Sequence, residues 1–402
     1  MPITQNKHSF WFKASILSIS IDSTVSGVVS GAIPLMVKSF PNAPQSIVES
    51  ISSLPSLAIM LAVIISPFVT NKIGYRKTVL IGLAISFLAG IAPTFSPNIY
   101  LILAFRFIFG LGIGLLNPLS YSIVAYFYDN DERSQMYGLI GTVSNFASWI
   151  LTGLVGVLLQ FSWHYSFLTY FVLLAILILV YFVLPEMDIK TEVKKEKSHK
   201  NNFLAMDHRV YYLAVVMFFL FMVWMTFNQK FGLLVTGKGY GNASQATYIL
   251  SLTAPVGMII GIFFGLLHKW LKNILLPLAM FMMALLLLVT AASNSLIVST
   301  FGVVFAAAFF TCCSTSVFLR VSEITPKALN NAASSIELIV VNVGIFVAPY
   351  FMSLVGNTLG NNNPDMMLAV CAAILIVLVI AMILGHFLTR NQHQAQSTIS
   401  QE

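Results

Sequence analysis

The chain has 402 residues, of which 58% are hydrophobic and only 9% charged. A soluble globular protein carries about 25% charged residues, so an ordinary soluble enzyme is excluded, while a membrane enzyme, channel or receptor is not. The net charge of +7 does not call for nucleic acid, because the basic residues gather at the ends of apolar segments on one side of a membrane.

A helical span needs about 20 apolar residues. Twelve segments qualify, near 10–37, 46–70, 75–96, 99–127, 134–160, 163–184, 209–236, 243–269, 272–293, 296–320, 327–356 and 364–389. The first lacks a small-residue cleavage site and reads as a retained helix. The only long polar connection, 185–208, holds Lys190, Lys194, Lys195, Lys197 and Lys200 and reads as a flexible linker. It divides the chain into a six-helix half at 1–186, a linker at 187–208, and a second six-helix half with a short tail at 209–402. With both termini cytoplasmic, seventeen of the 21 Lys and Arg residues fall inside, among them Lys72, Arg76, Lys77, Arg133, Lys269, Lys272, Lys327 and Arg390. Lys38 and Lys238 fall outside. This asymmetry predicts the N-in, C-in orientation. Cys312, Cys313 and Cys371 lie within apolar runs and read as packing residues.

The two halves repeat. Asn42-Ala43-Pro44-Gln45 precedes the second segment and Asn242-Ala243-Ser244-Gln245 the eighth, an offset of 200; Ser53-Leu54 and Ser251-Leu252 match at an offset of 198. Duplicated six-helix halves predict an alternating-access machine with its site at the repeat interface near the midplane.

The loop after the second segment reads Pro67-Phe68-Val69-Thr70-Asn71-Lys72-Ile73-Gly74-Tyr75-Arg76-Lys77. It resembles the signature loop of the major facilitator superfamily, Gly-x-x-x-Asp-Arg-x-Gly-Arg-Arg, with Lys72, Gly74, Arg76 and Lys77 in place. Pro67 stands for the first Gly and Asn71 for the Asp that helps latch the halves. The fourth segment holds Arg106-Phe107-Ile108-Phe109-Gly110-Leu111-Gly112-Ile113-Gly114, similar to the Arg-x-x-x-Gly-x-Gly motif of proton-coupled members. Leu184-Pro185-Glu186 also resembles the family at the end of its sixth helix. The resemblance is to the bacterial drug:proton antiporter group. It implies an all-α membrane fold of twelve helices in two six-helix halves, a plasma-membrane location, and an Arg106 that faces the central cavity and influences proton release. The antiporter signature Gly-Pro-x-x-Gly-Gly is missing its proline, because the fifth segment reads Thr152-Gly153-Leu154-Val155-Gly156-Val157.

Five ionisable residues lie within spans: Asp22, Glu49, Arg106, Lys230 and Glu337. Each costs roughly 2.5–3.5 kcal/mol at a helix centre, which asks for a role or a partner. Asp22, about nine residues past Lys13 and so about 13 Å along the helix, sits near mid-membrane. A carboxyl there is suited to loading and releasing a proton; the bland alternative is an acid hydrogen-bonded by Ser20, Ser23 or Thr24. Glu337, after Ser334 and Ser335, is a second proton-coupling candidate. Glu49 is a third, or else an acid at the outer water interface. Arg106 either faces the cavity or clamps backbone carbonyls of the first helix. Its depth matches Glu49 better than Asp22. Lys230 either snorkels outward or serves as a cavity cation beside Asn228 and Gln229.

Glycines at Gly257, Gly261 and Gly265, at Gly110 and Gly114, and at Gly138 and Gly141 predict smooth faces for close helix packing. Phe218, Phe219, Phe221, Trp224, Phe227 and Phe231 crowd the seventh segment; those facing inward, with Trp224 and Phe227 as candidates, would make an apolar pocket for amphiphiles. No phosphate-binding Gly-x-x-x-x-Gly-Lys-Ser/Thr loop and no metal-ligand cluster occurs. The expected protein is a monomeric bacterial transporter without cofactor, in contact with lipid, a small-molecule substrate and protons, and not an enzyme. Two functions are in play: proton-driven export of hydrophobic or amphiphilic compounds, and proton-coupled import of an organic anion.

Overall fold

In the lipid core each backbone N–H and C=O must be paired within its own segment, so apolar runs of this length become helices. The computed structural model describes residues 9–128, 130–186, 207–325 and 330–399. Eleven helices among these residues are long and apolar enough to span a membrane. The first segment, α1, is interrupted, running as Phe10–Ile19, Ile21–Val25, Val28–Ala32 and Ile33–Ser39. The first half continues with α2 (Gln45–Ile73), α3 (Tyr75–Phe95), α4 (Ile99–Phe127), α5 (Asn130–Leu158) and α6 (Trp163–Val183). The second comprises α7 (His208–Gly237), α8 (Ala243–Leu271), α9 (Leu275–Ala292), α10 (Leu296–Ile324), α11 (Asn330–Leu359) and α12 (Pro364–Ile399). The five lysines of the expected linker, and Lys327, lie outside the described residues.

Buried apolar side chains fall into two clusters, one from Phe12 to Leu184 and the other from Val210 to Val379. Twelve crossings return the chain to its starting side. That side is called proximal below, and the opposite one distal. The cysteines Cys312, Cys313 and Cys371 are buried and unbridged.

Two spans expected to be continuous are broken. In α1, Ser15, Ser18, Ser20, Thr24 and Ser30 all donate to carbonyls three residues back, which competes with the helical ladder. In α8 the break falls at Leu252 between Ala243–Ser251 and Thr253–Leu271, because Pro255 has no N–H for the carbonyl of Ser251 and its ring crowds that oxygen. The α2–α3 turn is made by Gly74 at φ 92°, and the α8–α9 turn by Lys272 at φ 45°. The two are 198 positions apart, the offset of the sequence repeat. A side-chain-bearing residue is strained at positive φ, so the shared turn is a structural trace of duplication.

The glycine expectations divide. Cβ atoms built on Gly110 and Gly114 would lie 2.4 Å from the Pro55 carbonyl oxygen and 2.6 Å from that of Ile59, so α4 and α2 are in backbone contact there. Gly112 meets α3 instead, 2.8 Å from the Gly82 oxygen. Gly261 and Gly265 of α8, and Gly138 and Gly141 of α5, have nothing within 4 Å, and Gly257 meets only Thr311. The expectation is corrected for Gly138, Gly141, Gly261 and Gly265, which face open space, while Gly257 would bring a Cβ within 3.2 Å of Thr311 of α10 and does serve close packing.

Candidate functional site

The site comprises a buried polar network within the first half and a polar seam between the halves, and its chemistry follows from interrupted helices. Pro55 within α2 cannot donate to the carbonyl four residues back, Ile51. The break in α1 frees the carbonyls of Val25 and Ser26. Arg106 closes these gaps, its Nε donating to the Ile51 oxygen at 2.7 Å and its Nη2 to the Ser26 oxygen at 2.6 Å. Nη1 donates to the Tyr170 hydroxyl at 2.7 Å, which in turn donates to Val25 O at 3.3 Å. The guanidinium also lies 4.7 Å over the Phe109 ring. Arg106 is 0% exposed. It therefore clamps backbone carbonyls of α1 and α2 in this conformation and does not line open space as a cavity cation. Phe227, also fully buried, is likewise removed from the cavity surface.

Asp22 occupies the short α1 piece bridged by this clamp. It is fully buried, and neither carboxylate oxygen has a hydrogen-bond partner. The hydroxyls of Ser20 and Thr24 donate to Leu17 and Ile21 carbonyls instead, so those two do not supply the hydrogen bonds of the bland reading. Ser86 of α3 faces it without reaching hydrogen-bond geometry, and Tyr170 is an electrostatic neighbour. Glu337 in α11 repeats the pattern, fully buried with both oxygens unpartnered.

Lys230 and Glu49 meet across the halves. Lys230 Nζ lies 2.5 Å from Glu49 Oε1, with side chains 7% and 1% exposed. Lys230 therefore does not snorkel, and Glu49 does not sit at a water interface. Gln45 donates to the same carboxylate oxygen at 2.7 Å. Beside the pair, Gln229 Nε2 donates to the Glu49 carbonyl at 3.0 Å and to Ser52 Oγ at 2.9 Å. The repeat offset of 198 carries Glu49 to Thr247 and Lys230 to Ala32. At that second place a Cβ on Gly31, next to Ala32, would collide with the Thr247 side chain. One interface is thus a bare close contact and its counterpart an ion pair.

Further distal contacts run from Ser244 of α8 to the Gly156 carbonyl of α5 at 2.5 Å, and between Gly232 of α7 and Pro34 of α1. The seam is drawn together distally, while Gly138 and Gly141 of α5 and Gly261 and Gly265 of α8 face open space. In the signature loop, Arg76 donates to the Tyr181 carbonyl at 2.7 Å and approaches Glu186 at 4.0 Å. Both partners belong to the first half. Lys72 and Lys77 flank the turn at Gly74.

On α7, Asn228 and Trp224 are half-buried, and Trp224 stacks on Phe310 of α10 at 4.4 Å and 11°. Sequence reasoning missed Tyr170, Ser52, Ser244 and Phe310 as site residues, while Gln229, beside Lys230, was in view.

Twelve apolar segments in two packed halves, with one buried ion pair between the halves and further ionisable groups buried within them, form the architecture of a multi-pass membrane transporter. The Major Facilitator Superfamily profile matches residues 16–349, and the chain belongs to that family. It is 28% identical over 151 residues to the niacin transporter NiaP of Acinetobacter baylyi, covering 37% of this chain and 34% of that one. It is 26% identical over 196 residues to the multidrug resistance protein MdtL of Shigella dysenteriae, covering 48% and 50%. The matches thus span half or less of these relatives. A bacterial homologue of the human lysosomal transporter Spinster, solved in an inward-facing, occupied conformation, shares the fold, with TM-score 0.72, 12% identity and coverage of 94% of this chain and 97% of that one.

Proposed function

We propose that the chain is a secondary active transporter that exports hydrophobic or amphiphilic small molecules in exchange for protons, by alternating access. The carrying observation is the distribution of buried charge. Both intramembrane cations are matched, Lys230 by Glu49 and Arg106 by carbonyls and Tyr170. Two buried carboxyls, Asp22 and Glu337, have no hydrogen-bond partner. Unmatched acids in low dielectric favour uptake of a proton over an isolated charge, so these are the proton sites of the proposal. The proximal end is taken as cytoplasmic from Lys72, Arg76, Lys77, Arg133, Lys269 and Lys272, against Lys38 and Lys238 distally. On that orientation the conformation is inward-open, with the Lys230–Glu49 contact as part of the closed outer gate and Glu49 as a further acid whose neutralisation would weaken it.

Organic-anion import is the second reading, supported by the likeness to NiaP and by the proline missing from α5. It is weakened because both cations it would use already have partners. The test is flux across proteoliposomes with an imposed pH gradient of either sign. Accumulation of amphiphiles against their gradient only when the trans side is acidic supports export by exchange. Flux that ignores the gradient overturns both proton-coupled readings.

A further inference from the structure

Resting on that reading of a hydrophobic or amphiphilic substrate, we propose that Phe221, Trp224 and Asn228 of α7, with Phe310 and Ser314 of α10, form a subsite. It takes the flat aromatic end of a substrate that carries an adjacent N–H donor.

The placement follows from helix geometry. Trp224, Asn228 and Gly232 are four residues apart and succeed one another on one slowly turning face. Gly232 packs on Pro34 of α1, in the first half. Trp224 packs on Phe310 of α10, in the second. Asn228, between them, faces the gap between the halves. Phe221, one turn before Trp224, sits edge-on to Phe310 at 5.1 Å. All five side chains are half-buried, whereas Asp22, Glu49, Arg106 and Glu337 are 0–1% exposed.

The chemistry follows from where the protons go. Asn228 Nδ2 donates to the Trp224 carbonyl at 2.7 Å. The flipped amide would set two oxygens against each other, so Oδ1 is the atom directed away from that carbonyl. It is an acceptor only. Ser314 donates its hydroxyl proton to the Thr311 carbonyl at 3.2 Å and also keeps acceptor lone pairs. The wall therefore offers aromatic faces and edges together with an amide oxygen and a hydroxyl as acceptors, and Asp22, Glu49, Arg106 and Glu337 are too deeply buried to line it. A flat ring stacks or sits edge-on against such a wall, and an N–H beside the ring meets the Asn228 oxygen. The second Nδ2 proton of Asn228 and the Trp224 indole N–H are donors on the same wall, while a fixed cation would find no counter-charge among these five side chains.

The probes are N-(1-naphthyl)acetamide, its N-methyl derivative, its ring-saturated decahydronaphthyl analogue and 1-naphthyltrimethylammonium. Their binding to the purified full-length protein is measured by equilibrium dialysis without a gradient. The naphthyl amide is expected to bind best. Losing the N–H or the aromatic ring should weaken binding roughly 3- to 10-fold each. Trp224→Ala should abolish the preference for the aromatic ring and Asn228→Ala the preference for the N–H. Trp224→Leu and Asn228→Ser stand in if either alanine variant fails to fold. Absent binding of the naphthyl amide, equal binding of the three amides, preferences unchanged in the variants, or tighter binding of the ammonium would each overturn the subsite. Retained preferences with gradient-independent flux would instead refute the proton-coupled reading and leave the subsite standing.

Discussion

Replacing Lys230 with Gln should open the distal seam. The lysine is 2.5 Å from Glu49 Oε1 and both side chains are nearly fully buried. Removing one member of a buried pair costs about 3–5 kcal/mol, because the other charge stays desolvated. That penalty applies to the distally closed state; in the open state water reaches Glu49. The closed-to-open ratio should therefore fall by roughly two to nearly four powers of ten, at 1.4 kcal/mol per tenfold, enough to make a dominant closed state a minority. Spin labels on cysteines at Lys38, near the end of α1, and Gly237, at the end of α7, report the separation. Lys38 and Gly237 are exposed, and Gly237 has nothing within 4 Å. Lys230→Gln should shift the distance distribution to longer values. Glu49→Gln combined with Lys230→Gln should restore most of the closed population, since two amides leave no unpaired charge. An unchanged distribution in the single variant, or a double variant as open as the single one, would refute the reasoning.

Arg106→Lys keeps the charge but not the fork that reaches three oxygens. It should lower thermal stability by several degrees, as read by a melting assay in detergent, and an unchanged midpoint would argue against the carbonyl clamp. Gly110→Ala places a methyl 2.4 Å from the Pro55 carbonyl oxygen, a backbone atom that cannot yield, and should destabilise by about 1–3 kcal/mol. Gly261→Ala, in open space, should cost nothing in this conformation, and equal melting losses for the two would contradict the packing described. A cysteine at Lys197 should react with an impermeant reagent only from the cytoplasmic side and one at Lys238 only from outside; the reverse pattern would invert the orientation.

The apolar segments and the signature turn at Gly74 were legible because membrane spans write their length into composition and a left-handed turn asks for glycine. The interruption of α1 was not, since its serines and threonine count as tolerable in a hydropathy window while their hydroxyls compete for carbonyls. The partner of Arg106 was written in the sequence, in that Pro55 leaves the Ile51 carbonyl unpaired. Seeing it required asking which helix faces which. Glu49 and Lys230 lie at similar distances from distal loops, yet the sequence reading matched Glu49 to Arg106. Depth along one helix says nothing about which of several neighbours it meets. Gly138 and Gly141 of α5 and Gly261 and Gly265 of α8 were misjudged for a different reason, because small residues permit close contact without enforcing it.

The most direct test is proton-driven accumulation by Asp22→Asn in proteoliposomes. Asparagine keeps the size of the buried side chain and removes its proton chemistry. Substrate exchange down its own gradient should persist while accumulation driven by the pH gradient is lost, and Glu337→Gln should show a smaller loss. Asp22→Asn protein that accumulates substrate as the unaltered protein does would contradict the assignment of the proton site to the break in α1.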